Sequence, residues 1–325
     1  MRRYPWRRNG IDRADEGVMV VGAEERGSGP SPADRADRAD RPRVGIVVIT
    51  RNRCTSLLGT LDRLAGLPER PPVAVVDNGS TDGTADAVRA RHPGVRVLTP
   101  GRNLAAAGRT YGAASLGTPY VAFSDDDSWW EPGALDRAAD LFDAHPRLGL
   151  LSAATLVGPE RRPDPLNAAM SNSPLGREPD LPGRSVLGFL ACAAVVRRAA
   201  FLEVGGFHPL LGVGGEEQLL AIDLEARGWG VAHCPDVVAR HDPDGLPRPG
   251  RVARMRCNAL LTAWLRRPLR QAVVQSAELA LDARNDPRAR RALADAARRL
   301  PVALARRHRV PARVEKRIRL LETSS

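Results

Sequence analysis

In Pro119-Tyr120-Val121-Ala122-Phe123-Ser124-Asp125-Asp126-Asp127-Ser128-Trp129-Trp130 an apolar run ends abruptly in three carboxylates. The apolar half reads as a short buried strand, so the acids stand where that strand stops. Carboxylates crowded at one strand end repel each other unless a cation sits among them. Oxygen ligands suit a hard divalent ion such as Mg²⁺ or Mn²⁺, and such ions commonly hold substrate phosphates as well. A solvated acidic turn has the same local sequence, so the neighbouring motifs decide between the two.

Upstream, Val44-Gly-Ile-Val-Val-Ile49 is a β-branched run bounded by Pro42 and by polar Thr50-Arg51-Asn52. Such a run fits a strand covered on both faces, as in a parallel sheet. Ser56 to Leu67 carries Leu57, Leu58, Leu61, Leu64 and Leu67 at helical spacing. Val73–Val76 and Val95–Leu98 read as further strands, and Thr81–Arg91 and Asn103–Leu116 as helices. Strands alternating with helices predict βαβ units and an α/β fold with a mostly parallel sheet. Ligands of such sheets sit beyond the carboxyl ends of the strands. Each polar motif falls at such an end: Thr50-Arg51-Asn52, Asp77-Asn78-Gly79-Ser80, Gly101-Arg102-Asn103 and Asp125-Asp126-Asp127. Four polar clusters on one rim make a site.

Beyond the acidic run, Leu148–Leu156, Leu187–Val196 and Val231–Ala239 read as strands. Pro159 to Pro182 is a long Pro-rich loop of the kind that serves as a lid or acceptor loop. From about Arg254 the chain reads as helical, divided by Pro268, Pro287, Pro301 and Pro311.

At 325 residues, 43% of them hydrophobic, the chain is long enough to bury a sizeable core. No apolar run approaches the ~20 residues needed to span a bilayer. The first residues lack the apolar core of a secretory signal, so a cytoplasmic location is expected. Residues 1–41 contain Gly27-Ser-Gly-Pro-Ser-Pro32 and a repeat of Ala, Asp and Arg, and are expected to form a disordered tail. Cys54, Cys192, Cys234 and Cys257 are scattered, which argues against structural zinc and a disulfide framework. The net charge is +11, yet Arg248 to Ser325 holds twenty Arg/Lys against six Asp/Glu. The rest is slightly acidic. A basic tail of this kind points to nucleic acid, an anionic membrane surface or a solvated helix face. The thirteen aromatic residues do not interleave with it, so nucleic acid is not expected.

Four longer motifs run in order: Val47-Val-Ile-Thr-Arg-Asn-Arg53, Val75-Val-Asp-Asn-Gly-Ser-Thr-Asp-Gly-Thr84, Gly101-Arg-Asn-Leu-Ala-Ala-Ala-Gly-Arg-Thr-Tyr-Gly112 and Phe123-Ser-Asp-Asp-Asp127. Gly205-Gly-Phe207, Gly215-Glu-Glu217, Asp223-Leu-Glu-Ala-Arg-Gly-Trp-Gly230 and Ala239-Arg-His241 follow. In content and order the set resembles the family 2 glycosyltransferases of the GT-A fold. The likeness covers roughly residues 43–265. It implies a GT-A domain over 42–265, with 266–325 as a basic α-helical extension.

The resemblance implies an inverting enzyme that moves one sugar from a UDP- or dTDP-sugar to an acceptor hydroxyl. Thr50, Arg51, Asn52, Asp77, Asn78, Gly79, Asn103, Gly108, Arg109, Asp125 and Asp126 then line the nucleotide, with Asp77 accepting a base N–H. Asp77-Asn78-Gly79 can also be read as a plain turn, since these residues tolerate positive φ. Asp125, Asp127 and His241 are the implied ligands of Mg²⁺ or Mn²⁺. Glu217 is the implied general base and Glu216 the second choice, both ahead of an apolar helix whose dipole favours acids there. Members of this family usually carry Glu-Asp at this point, and the longer Glu shifts where the carboxylate reaches. The Gln-x-x-Arg-Trp signature of processive members is absent.

Two other readings fit less of the sequence. A sugar-phosphate nucleotidyltransferase requires a Gly-rich loop after the first strand, where this chain has Thr50-Arg-Asn-Arg-Cys-Thr55. A degenerate nucleotide-binding module, acting through basic C-terminal helices on a membrane or another partner, leaves the acids at 125, 127 and 217 without a purpose. Docking of those helices on an anionic inner leaflet, near a lipid-linked acceptor, is compatible with the transferase reading. So is their packing on the catalytic domain.

Overall fold

Seven consecutive buried residues, Val44–Thr50, form strand β1. The expected N-terminal tail lies outside the described residues, which in this computed structural model are 42–245 and 249–324. Next come α1 (Cys54–Ala65), β2 (Val73–Asp77), α2 (Thr84–Arg91), β3 (Arg96–Leu98), α3 (Ala107–Ser115) and β4 (Tyr120–Asp125). β1 pairs in parallel with both β2 and β4, in a register that sets Thr50 beside Asp77 and Ile49 beside Asp125. The polar strand ends therefore finish on one rim. Alternation along β1 sends Val47 and Ile49 to one core and Ile46 and Val48 to the other, so both sheet faces are covered. α3 lies so close to β1 that a Cβ at Gly112 would stand 2.5 Å from Val47 Cγ1.

The chain continues through β5 (Ser128–Trp130), α4 (Ala134–Ala144), β6 (Leu148–Val157), β7 (Arg162–Pro163), α5 (Pro165–Ser171), β8 (Arg184–Ser185) and β9 (Ala194–Arg197). Then follow α6 (Arg198–Glu203), α7 (Glu216–Ala226) and β10 (Gly230–His241). The sheet order is β3-β2-β1-β4-β9-β6-β10-β5, with β7 against β6 and β8 against β10. β9 runs antiparallel between β4 and β6, which makes the sheet mixed.

Four local expectations change, one being that Pro301, expected to divide the C-terminal helices, lies inside the helix Pro287–Ala305. The strand expected over 187–196 exists only from Ala194; Ala191–Ala193 is a 3₁₀ turn. Leu187, Phe189 and Ala191 are apolar because they fill the core, not because they pair in a sheet. The helix expected from Asn103 starts at Ala107, because Asn78 holds the backbone of Leu104 and Ala105 in a loop. The Pro-rich loop contains α5, capped by the Asp164 side chain with Pro165 at its first position.

The C-terminal helices are α8 (Arg251–Arg266), α9 (Leu269–Asp282), α10 (Pro287–Ala305) and α11 (Ala312–Thr323). α8, α9 and α10 share an apolar cluster with Leu211 and Leu219. From α11, Val314 and Ile318 enter the same core as Leu224 and Val231. Buried Arg266 clasps Asp223 of α7 through two nitrogens, at 2.5 and 2.8 Å. A two-pronged contact between buried ions fixes orientation as well as charge.

Candidate active site

The ends of β1, β2 and β4 and the loop before α3 enclose a cleft of about 270 Å³. Thr50, Arg51, Asn78, Asn103, Arg109 and the three acids of the strand end line it, with Val213 opposite.

Much of the rim is spent on holding loops. Asn52, at φ 54°, donates its N–H to Ser80 Oγ at 2.9 Å and accepts from Thr81 N–H at 2.7 Å. Asp77 Oδ1 accepts from Ser80 N–H at 2.8 Å, closing the turn that Gly79 makes possible at φ 81°. Asn78 Oδ1 accepts from Leu104 N–H at 3.0 Å, and Asn103 Oδ1 from Ala105 N–H at 2.7 Å. Gly108 lets α3 approach: a Cβ there would stand 3.3 Å from Asn78 Oδ1 and from Ile49. Asp77 does not line the cleft itself; its neighbour Asn78 does.

The three acids part company. Asp125 pairs with buried Arg109 and faces the cleft. Asp126 turns inward, where Thr50 Oγ1 donates to it at 3.0 Å and Arg53 Nε lies at 2.6 Å. Its carbonyl accepts from Ser56 and Thr60, both at 2.8 Å, which ties the run to α1. Burial pushes the Asp126 carboxyl up to about 6, against the pull of Arg53. Asp127 lies 3.2 Å from Arg53 and 3.4 Å from His241 Nε2. His241 ends β10, opposite Ser128 of β5. Arg53 also reaches Asp244, so one guanidinium balances three acids. Sequence reasoning passed over Arg53 as a site residue, although it stands three positions beyond the end of β1.

Glu216 and Glu217 open α7 behind Gly214 and Gly215, at φ 111° and 89°. Gly214 N–H donates to Glu216, and Gly215 N–H to Glu217 at 3.1 Å. Glu216 is 1% exposed, and burial plus the charge of Glu217 pushes it up to about 8 despite Arg109. Arg109 Nη1 and Glu216 Oε1 face each other at 4.0 Å, and neither has a hydrogen-bond partner. Burial opposes the charge of Arg109, but Asp125, Glu216 and Glu217 together hold its pKa above the ordinary arginine value. One side chain thus links the acids of β4 to those of α7. Cys192 is buried nearby with its thiol pushed well up by burial, which makes it a poor nucleophile. Asn258 of α8 donates to Gly214 O at 2.9 Å, a support that nothing in the local sequence announces.

Asp127 and His241 have the chemistry of ligands for a divalent ion. Two donors 3.4 Å apart match a single ion holding each at roughly 2.0–2.2 Å. Among the described residues no cluster of three or more His, Cys, Asp or Glu could hold an ion unaided. Mg²⁺ is commonly held by one or two carboxylates with substrate phosphates in its shell, and Asp127 supplies one such carboxylate.

A mostly parallel sheet with antiparallel β9 in its interior, acids at a strand end and a second acid pair on a facing helix, is the layout of the GT-A fold. Residues 45–205 match the protein-family model described as Glycosyl transferase family 2. It is similar to an N-acetylglucosaminyl-diphospho-decaprenol L-rhamnosyltransferase of Mycobacterium tuberculosis, at 29% identity over 60% of this chain and 75% of the relative. In fold it is similar to the mannosyltransferase PcManGT from Pyrobaculum calidifontis, solved with GDP-Man and Mn²⁺, with TM-score 0.53, 22% identity and coverage of 88% and 76%. S. aureus TarS (residues 1–349), solved with UDP-GlcNAc, gives TM-score 0.51 at 17% identity, covering 79% and 72%.

Proposed function

We propose that this glycosyltransferase moves a single sugar from a UDP- or dTDP-sugar to an acceptor hydroxyl, with inversion at the anomeric carbon. The observation that carries the reading is Arg109, which joins Asp125 on the donor side to Glu216 on the acceptor side. A nucleoside diphosphate would lie along the rim formed by Thr50, Arg51, Asn78 and Asn103. Asp127 and His241 would hold a Mg²⁺ or Mn²⁺ ion, with Asp125 facing the same cleft. When bound, that ion supplies Lewis-acid relief for the charge on the departing diphosphate.

Glu217 would take the proton of the acceptor hydroxyl as its oxygen bonds to the anomeric carbon. The bond from that carbon to the diphosphate oxygen breaks on the opposite face, and the electron pair leaves with the diphosphate. Glu217 is the better base because Glu216 is enclosed and, at about 8, neutral near pH 7. The name of the mycobacterial relative supports a polyprenyl-diphosphate-linked sugar as the class of acceptor and a deoxyhexose as the class of donor sugar.

Calorimetric titration with UDP and dTDP, each with Mn²⁺, Mg²⁺ or EDTA, tests the donor half. Micromolar, metal-dependent binding that Asp127→Ala abolishes is expected. No binding of either nucleotide under any condition would refute the reading.

A further inference from the structure

Exposed apolar side chains are unevenly spread over this molecule. Eleven large hydrophobic residues stand in solvent among the described residues, and nine of them lie on α8–α11, from Val252 to Leu320. Four are on α9: Leu269, Val273, Val274 and Leu281. The inner face of α9, with Ala272 and Leu279, lies against α8 and α10. At 3.6 residues per turn, its exposed Leu269, Ala280, Val273, Ala277, Leu281 and Val274 share an arc of roughly 140°. Arg270 lies inside that arc and Arg284 just beyond the helix end, while exposed Glu278 and Asp282 stand outside it, beyond Val274. A surface helix ordinarily turns charged residues outward. Here Leu269 and Leu281 are 57% and 56% exposed.

We infer that the outer face of α9 docks on an anionic lipid bilayer. The choice of occupant rests on charge. The chain from Arg248 onward has twenty basic against six acidic residues, and Arg251, Arg254, Arg288, Arg291 and Arg298 on α8 and α10 are exposed. A second copy of the chain would bring two such basic surfaces together, at an electrostatic cost. An anionic bilayer takes both features, the apolar ridge at the acyl boundary and the guanidinium groups among lipid phosphates. No helix among the described residues is long and apolar enough to cross a membrane, so the contact lies in the interface plane. Docking would hold the enzyme at a surface that carries lipid-linked acceptors. That consequence rests on the proposed reaction; the docking itself does not.

The test is co-sedimentation of the full chain with vesicles of phosphatidylcholine and phosphatidylglycerol in equal parts, and with phosphatidylcholine alone. Binding to the mixed vesicles, weakened by salt and much reduced on phosphatidylcholine alone, is expected. Leu269→Ser, Val273→Ser and Leu281→Ser combined should lower binding about tenfold. Arg270→Glu with Arg284→Glu should lower it as well, and serves if the triple variant proves unstable in a melting control. A wild-type chain left in the supernatant, or a folded triple variant that binds equally, overturns the inference. So does a dimer that the triple variant dissociates in the absence of vesicle binding. Failure here with nucleotide binding intact removes the docking alone.

Discussion

At the end of β4 the acids sit among cations: Arg53 beside Asp126 and Asp127, Arg109 against Asp125. At the start of α7 the pattern is different, because Glu216 has Arg109 only at 4.0 Å and leans on glycine N–H groups instead. Both regions bury carboxyl groups, and burial raises Asp126 to about 6 and Glu216 to about 8. The difference lies in what each can exchange. Guanidinium groups among carboxylates can be traded for another cation with little change in local charge. A carboxyl balanced by N–H groups can instead change its protonation without disturbing a counter-ion. On the proposed reading the first arrangement suits a diphosphate with its metal, and the second suits proton transfer.

Replacing Glu217 by Gln should separate the two sides most sharply. The amide keeps the shape and accepts from Gly215 N–H but takes no proton. The turnover rate should fall by about 10²–10⁴-fold, while nucleotide affinity by calorimetry stays within about twofold. Equal losses in both would place this carboxylate on the donor side and dissolve the comparison.

A smaller effect is expected from pH. The folded value of Glu216, about 8, lies above its ordinary value of 4.5, so the neutral form favours the folded state. Its contribution is complete below about pH 4.5 and is lost as pH rises through about 8. Asp126 acts in the same sense over a lower range, since its value of about 6 also exceeds the ordinary 3.8. Melting temperature should therefore fall between about pH 5 and about pH 9, and Glu216→Gln should flatten the upper part of that fall. Identical profiles for the two proteins would show that Glu216 is not the titrating group.

Strands β1, β2 and β4 are legible because they are covered on both faces and read as unbroken apolar runs. α1 is legible because Leu57, Leu61 and Leu64 recur at helical spacing and are buried. The polar strand ends follow from the register, and those of β1, β2 and β4 do meet in one cleft. What escapes a reading of the sequence depends on distant partners. Asn103 sits in a loop because Asn78, some 25 positions earlier, holds the residues after it. Leu187–Ala193 is buried without being a strand, and burial alone does not distinguish the two. The inward turn of Asp126 depends on Thr50, Ser56 and Thr60, none of which is marked out by its neighbours.

Asn258 offers the finest test of the division, because it belongs to a C-terminal helix and touches no acid. Its side chain is 1% exposed and donates to the carbonyl of Gly214, whose own N–H donates to Glu216. Asn258→Ala leaves that carbonyl without its partner, at a cost of about 1–3 kcal/mol if it stays buried. Urea unfolding would register this as a lower midpoint with an unchanged slope. The loop of Gly214 and Gly215 positions both acids, so turnover should fall several-fold, far less than for Glu217→Gln. On the proposed reading nucleotide affinity should not move, since the rim at the ends of β1 and β2 is tied together by Asn52, Asp77 and Asn78. A loss of affinity matching the loss of turnover would mean that α8 supports the whole cleft. The acceptor side would then have no separate scaffold.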